Sequence, residues 1–435
     1  MPTIRKLVVL GANGAMGAGA GAVFAAAGLP TVFLARTREK AEAGKARAQQ
    51  LAKGTPIADK ITCGSYADDL AHALGDADLV LEAVAEDLQT KRELYATLAP
   101  RLRADTIVAT VSSGLSIAEL CAGFPDAFRA HFVGVHLFNP PTTIVGCELI
   151  AHAGTDPGVL ATVRDFLATV GGRQVVECAD TPAFAGNRLG FKVLNEVAQL
   201  AEEHGVAFMD QLVGPHTGRA LPPLATIDLV GWDVHKAIVD NLYARTHDVA
   251  RPAFVLPAYM QRGIDRGHLG RKTRDKGGFF RVDKIGGETR VFVLDPATGD
   301  YRPLAEAAPP ASTLVERMKS ALRSSGHTGA MDVLCTSTGL EADLLRRIVL
   351  GYISYGLGLV GEVVAHPRDI DRIMAFGFLW APPGVLVDAI GPARTLTLLE
   401  QAHLPVPPAV VDAATHLRPL CTEPELDGAR FFVAA

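Results

Sequence analysis

Over the first 180 residues, apolar positions fall in short continuous runs separated by stretches of helical spacing. Such runs suit strands buried on both faces, and their alternation with helices predicts a parallel sheet covered by helices. The expected strands cover 6–10, 31–34, 79–83, 106–111, 132–136, 148–151 and 174–177; the expected helices cover 15–27, 38–52, 88–99 and 157–170. After Asp180-Thr181-Pro182 the pattern changes. Residues 186–203 read as one long helix, and helical periodicity continues to about 250. Short β-like runs such as 290–294 follow within 281–304, then a Pro/Ala-rich linker at 305–312, then a second helical unit from about 313.

The two helical stretches resemble degenerate copies offset by about 160 residues. Asn187-Arg188-Leu189 aligns with Arg346-Arg347-Ile348, Asp210-Gln211-Leu212 with Asp371-Arg372-Ile373, and Asp228-Leu229-Val230-Gly231 with Asp388-Ala389-Ile390-Gly391. The expected domains are therefore 1–182, 183–304 and 313–435, an α/β unit followed by two tandem all-α units.

Composition adds little that conflicts with this. Of the 435 residues, 49% are hydrophobic and 20% charged, enough apolar material for several cores. The net charge of −5 and the scattered cations argue against nucleic acid or an anionic membrane as partner. The six cysteines form no CxxC pair and no metal-ligand spacing, which suits reduced, buried thiols. Residues 14–29 approach the length of a membrane span, but their small side chains after a strand and a glycine loop predict a packed helix. Met1 leads within a few residues into the first strand, without a signal-like or transit-like segment, so a cytoplasmic protein is expected.

The first strand runs straight into Gly11-Ala12-Asn13-Gly14-Ala15-Met16-Gly17 and then a helix. Glycines there permit a tight turn and bring backbone N–H groups to the pyrophosphate of a dinucleotide at the positive end of the helix. Gly11, Ala12, Gly14, Met16 and Gly17 are thus candidate cofactor-binding residues. Two details depart from the usual NAD fingerprint. The spacing is GxxGxxG, and the second strand ends Phe33-Leu34-Ala35-Arg36, with no acid for the ribose 2′-hydroxyl. Arg36 or Arg38 could instead pair with a 2′-phosphate, leaving NAD and NADP both open.

Gly134-Val135-His136-Leu137-Phe138-Asn139-Pro140-Pro141 places a histidine at a strand end, and Glu148 follows it by twelve residues. Oxidation of an alcohol needs a base for the hydroxyl proton as hydride leaves carbon, and imidazole titrates in the useful range. A carboxylate behind the ring fixes its tautomer and stabilises the imidazolium. A structural histidine fits these residues as well.

Several motifs in order resemble the L-3-hydroxyacyl-CoA dehydrogenase family: the glycine loop, His136 to Pro141 with Glu148, and Asp180-Thr181-Pro182-Ala183-Phe184-Ala185-Gly186-Asn187-Arg188. Glu82-Ala83-Val84-Ala85-Glu86 with Lys91 is similar to the family's EAVxE segment, and Ser112-Ser113 to its NTSS-type position. Gly270-Arg271-Lys272-Thr273 with Gly277-Gly278-Phe279-Phe280 resembles its GRKTGxGFY element, and the tandem helical units resemble the dehydrogenase part of multifunctional fatty-acid oxidation proteins.

The resemblance implies a Rossmann-type doubly wound domain, an acyl-CoA substrate and a nicotinamide cofactor. It implies that His136 takes the 3-hydroxyl proton, that Glu148 orients His136, that Ser112 (or Ser113) bonds the 3-oxygen and that Asn187 helps position substrate. Glu86, Lys91 and Asn139 would surround the nicotinamide ribose. A second helical copy could cover the face through which single-copy relatives dimerise, making the chain monomeric. Tandem relatives often carry an enoyl-CoA hydratase half; the sequence through Ala435 has no segment long enough for one, so no hydratase activity is expected. Two other readings fit the residues: a dehydrogenase of a small hydroxy acid lacking coenzyme A, and a non-catalytic nicotinamide-binding protein.

Overall fold

Leu-Val-Val-Leu at Leu7–Leu10 forms strand β1, buried at every position, as expected for a strand with neighbours on both sides and helices on both faces. It belongs to an eight-stranded sheet in a computed structural model that describes residues 4–434. The other strands are β2 (Thr31–Ala35), β3 (Ile61–Ser65), β4 (Leu79–Glu82), β5 (Ile107–Thr110), β6 (Phe132–Leu137), β7 (Gly146–Ile150) and β8 (Gln174–Cys178). Their order is β3-β2-β1-β4-β5-β6-β7-β8. All neighbours are parallel except β6 and β7, which run antiparallel. The order reverses between β1 and β4, the switch point where doubly wound sheets bind ligands beyond their C-terminal strand ends.

Helices α1 (Ala15–Ala26), α2 (Arg38–Leu51), α3 (Leu70–Gly75), α4 (Leu88–Leu98), α5 (Ile117–Cys121), α6 (Asp126–Ala130) and α7 (Pro157–Thr169) connect the strands. The small residues of α1 answer to close packing: a Cβ on Gly21 would lie 2.2 Å from the Phe33 ring, and one on Gly19 2.9 Å from Pro141 Cδ. Phe24 of α1 stacks on Phe166 of α7 at 5.1 Å. Among the described residues, no helix is long and apolar enough to cross a membrane.

Strand β3 and the short helices α3, α5 and α6 were not expected. The strand reads Ile-Thr-Cys-Gly-Ser and lies at the sheet's edge, paired only with β2, so it needs no continuous apolar run. The three helices are of five or six residues, too short to show a helical period.

These strands and helices, up to Ala185 and with Glu362–Ala365, form one compact unit; Gly186–Gly361 and the chain from His366 form a second. The second unit begins with α8 (Gly186–His204), in which almost every residue through Ala201 is buried. A helix surrounded this way must pair its charges internally. Arg188 reaches Asp248 at 2.7 Å and the Tyr355 hydroxyl at 2.9 Å, and Lys192 reaches Glu196 at 2.8 Å.

Two later helices, Pro223–Val230 and Pro383–Ile390, share one local design. Each is preceded by a second proline and ends at a glycine with positive φ, Gly231 at 100° and Gly391 at 95°. Asp228 accepts the N–H groups of Phe279 and Phe280, and Asp388 those of Leu420 and Cys421. A small antiparallel sheet, β9 (Phe280–Ile285), β10 (Glu288–Leu294) and β11 (Tyr301–Pro303), lies between the two halves in sequence.

Candidate active site

The C-terminal ends of β1, β2, β4, β5 and β6, together with β7, carry the candidate residues of the first unit. Leu10 pairs with Leu34, so the glycine loop after β1 lies beside the end of β2. There Gly11 has φ of 75°, and a Cβ would meet Ala83 O at 2.5 Å; a Cβ on Gly17 would meet Gly11 O at the same distance. Only glycine allows this approach of loop, strand and helix. Gly14 caps α1 without a side chain, so the first-turn N–H groups have no side-chain acceptor and suit a pyrophosphate. Ala12 is buried and Met16 half-buried in the same turn. The Gly11 N–H also donates to the Tyr66 hydroxyl at 2.8 Å, a partner the sequence pattern did not single out.

At the end of β4, Glu82 is fully buried and its carboxylate gathers five donations. It accepts from Lys91 Nζ at 2.8 and 3.0 Å, Tyr95 Oη at 2.5 Å, Thr110 Oγ1 at 2.8 Å and the Val84 N–H at 2.7 Å. Lys91 is also fully buried and lies 3.5 Å from Glu86 Oε2. Oε1 of Glu86 accepts from Ser112 Oγ at 2.6 Å and from the N–H groups of Ser113 at 2.8 Å and Gly114 at 3.0 Å. Glu86, Lys91 and Ser112 therefore form one chain of contacts rooted in Glu82. The Lys91 ammonium points inward, shared by two carboxylates, and Glu86, 43% exposed at its side chain, is the member that faces outward. Burial and the Glu82 carboxylate push the Tyr95 phenol well above its ordinary pKa, keeping it a hydrogen-bond donor.

His136 lies near the end of β6, and Glu148 lies directly opposite it on antiparallel β7. The twelve-residue spacing in sequence thus becomes a cross-strand pair. His136 Nδ1 is 2.5 Å from Glu148 Oε2, with both side chains almost wholly buried. The other carboxylate oxygen accepts the Ala185 N–H at 2.9 Å and faces the Cys178 thiol at 3.7 Å. Phe138 and Phe184 flank the imidazole, with ring centroids 4.9 and 5.6 Å away. An ionised Glu148 directs the Nδ1 proton toward itself and makes Nε2 the basic nitrogen, the arrangement a general base requires. Asn139 is exposed just beyond β6. Asn187 belongs to the second unit, buried in the first turn of α8.

Residues 6–181 match the family model described as 3-hydroxyacyl-CoA dehydrogenase, NAD binding domain, and residues 184–279 match the 3-hydroxyacyl-CoA dehydrogenase C-terminal domain. The chain belongs to the 3-hydroxyacyl-CoA dehydrogenase family. A probable 3-hydroxyacyl-CoA dehydrogenase of Bacillus subtilis is 30% identical over 93% of this chain and 53% of its own length. Another, from Deinococcus radiodurans, is 32% identical over 65% of this chain and 84% of its own. The solved 3-hydroxybutyryl-CoA dehydrogenase of Escherichia coli shares the fold, with a TM-score of 0.70 at 22% identity over 95% of this chain and 99% of that one. The chain spans about half the length of the Bacillus relative.

Within the 3-hydroxyacyl-CoA dehydrogenase family, the dinucleotide that fits the loop of this chain is NAD. Sequence reasoning did not assign roles to Glu82, Tyr66, Tyr95, Thr110, Cys178 or Phe184. Glu82 stood inside the recognised EAVxE segment, and Tyr95 lies one helical turn from Lys91. Phe184 stood inside the recognised Asp180–Arg188 segment, whereas Tyr66, Thr110 and Cys178 had no local signal for their contacts, because their partners are brought together only by the sheet.

Proposed function

We propose that the chain oxidises the 3-hydroxyl of an L-3-hydroxyacyl-CoA thioester to the 3-oxo compound, reversibly, with NAD as the hydride acceptor. The observation that carries this reading is the buried His136–Glu148 pair at the C-terminal edge of a dinucleotide-binding sheet. NAD, when bound, supplies the carbon that accepts hydride. His136 removes the hydroxyl proton at Nε2 and returns it in the reverse direction. Glu148 holds the ring through Nδ1 and stabilises the imidazolium, while the Ala185 N–H keeps the carboxylate in place.

Ser112 has its hydroxyl turned to Glu86, whereas Ser113 is only half-buried, so either can serve the 3-oxygen once Glu86 is drawn to the cofactor. Glu86, after β4, and Asn139, after β6, are assigned to the nicotinamide ribose, with Lys91 fixing Glu86 from behind. Asn187 is assigned to substrate positioning by its place in the family segment. Six free cysteines, four of them also under partial or full cover in the first unit, suit a reducing cytoplasm.

The two halves of the second unit we read as duplicated domains related by a local two-fold. Residues 218–221 and 378–381 occupy equivalent positions under the 160-residue offset, each just before a Pro-Pro pair, and they meet antiparallel: Arg219 bridges Trp380, and the Ala381 N–H donates to Gly218 O at 2.6 Å. Equivalent segments meeting antiparallel fit a two-fold axis perpendicular to them. The buried Arg219 guanidinium lies over the Trp380 and Tyr352 rings at 5.0 and 5.6 Å, sealing that contact. A dimer interface is in this way replaced within one chain.

The discriminating experiment compares turnover on acetoacetyl-CoA, on longer 3-oxoacyl-CoA thioesters and on the free acids. Activity confined to the thioesters supports the reading. Turnover of the free acids at equal kcat/KM would replace it with a small-hydroxy-acid dehydrogenase, and cofactor binding without any turnover would leave a non-catalytic protein.

A further inference from the structure

The adenosine end of the cofactor crevice departs from the arrangement that selects NAD. In NAD-binding sheets of this kind an acid at the end of the second strand accepts a hydrogen bond from the ribose 2′-hydroxyl. Here β2 ends at Ala35, whose methyl group is buried, and the next residue is the exposed Arg36.

Three of the four neighbouring acids are committed elsewhere. Asp69 takes Arg38 Nη2 on both oxygens at 3.0 Å and the Ser65 N–H at 2.8 Å. Asp68 accepts from Ser65 Oγ at 2.7 Å. Glu42 faces the Cys63 thiol on β3. Glu39 is exposed on the first turn of α2.

The two arginines that the sequence left as alternatives are separated by the same contacts. Arg38 is held by Asp69 and by Cys63 O at 2.6 Å, turned toward β3. Arg36 makes no hydrogen bond or ion pair among the described residues. Its charge acts on the Tyr66 phenol, whose oxygen accepts the Gly11 N–H of the glycine loop and whose backbone N–H donates to Ala35 O. Arg36, Tyr66, Ala35 and Gly11 thus converge where β1 and β2 end. Helix α2 starts immediately after; its cap, Thr37, accepts the Lys40 N–H, and the positive helix end favours an anion beside Arg36.

We propose that Arg36 receives the 2′-phosphate of NADP, so that the crevice accepts NADP(H) as well as NAD(H). A guanidinium with no intramolecular carboxylate keeps its full hydrogen-bonding fork for phosphate, and a methyl group at position 35 imposes neither repulsion nor a lost hydrogen bond. The proposal rests on the reading of this crevice as the cofactor site, and the test separates the two.

Isothermal titration of the intact protein with adenosine 2′,5′-bisphosphate and with ADP requires no turnover. Wild type is expected to bind the bisphosphate with a clear preference, and Arg36→Ala to weaken that nucleotide by roughly 10- to 100-fold, the scale of charge-assisted hydrogen bonds, while ADP is unchanged. Ala35→Asp should likewise lower affinity for the bisphosphate and spare ADP. Indifference of the bisphosphate to Arg36→Ala, or tighter binding of ADP by wild type, overturns the phosphate role and leaves the cofactor site standing. Failure to bind either nucleotide overturns the site itself.

Discussion

Glu148 Oε2 lies 2.5 Å from His136 Nδ1 across the antiparallel β6–β7 pair, inside a sheet that is otherwise parallel except at this junction. That reversal sets the carboxylate directly behind the imidazole. Glu148→Gln keeps the shape and removes the charge that stabilises an imidazolium. It should lower kcat and shift the acid limb of the pH–rate profile while leaving acyl-CoA binding nearly unchanged. A normal pH profile would show that Glu148 is only a structural partner.

The Glu82–Lys91 pair predicts a different phenotype. Both groups are fully buried, so Glu82→Gln leaves an ammonium with only Glu86 beside it. Breaking one side of such a pair costs about 3–5 kcal/mol, whereas replacing both partners by uncharged groups costs much less. Urea unfolding should show Glu82→Gln strongly destabilised and Glu82→Gln/Lys91→Met closer to wild type. Equal losses in both would indicate that the pair is not coupled.

How much of this was legible in the sequence depended on whether the information was local. The glycine loop, the strands around it and the long buried helix α8 follow from periodicity and spacing over consecutive residues. The His136–Glu148 pair was half legible: the residues stood out, but their opposition needed the hairpin register. Lys91 was read as a neighbour of the cofactor ribose, and only the fold reveals that its ammonium faces inward to Glu82. Tyr66 follows an edge strand with no recognisable pattern, so nothing in the sequence linked it to Gly11.

Asp371 makes stability depend on pH. Burial pushes its carboxyl up to about 7, with Asp388 and Glu423 adding to the effect, while the Gly384 N–H opposes it. A carboxyl whose folded pKa is raised binds its proton more tightly when folded, so stability falls as pH rises from about 4, the unfolded value, through about 7. His216, lowered to about 4 by burial, acts oppositely, because the folded protein resists its protonation below about 6.5. The difference between wild type and Asp371→Asn isolates the aspartate. The variant's relative stability should increase from pH 5 to pH 8, measured by urea midpoints, and a constant difference would refute the assignment.

The paired helical halves predict a monomer in solution. Light scattering should return the mass of one chain across a wide concentration range. An obligate dimer would mean that the proposed pairing of the two halves does not replace an intermolecular interface.

The steepest demand falls on His136. Oxidation of 3-hydroxybutyryl-CoA, followed by NADH absorbance, should be roughly 10²- to 10⁴-fold slower in His136→Ala, the usual contribution of a general base, with NADH affinity preserved. Turnover near the wild-type rate in that variant would contradict the account.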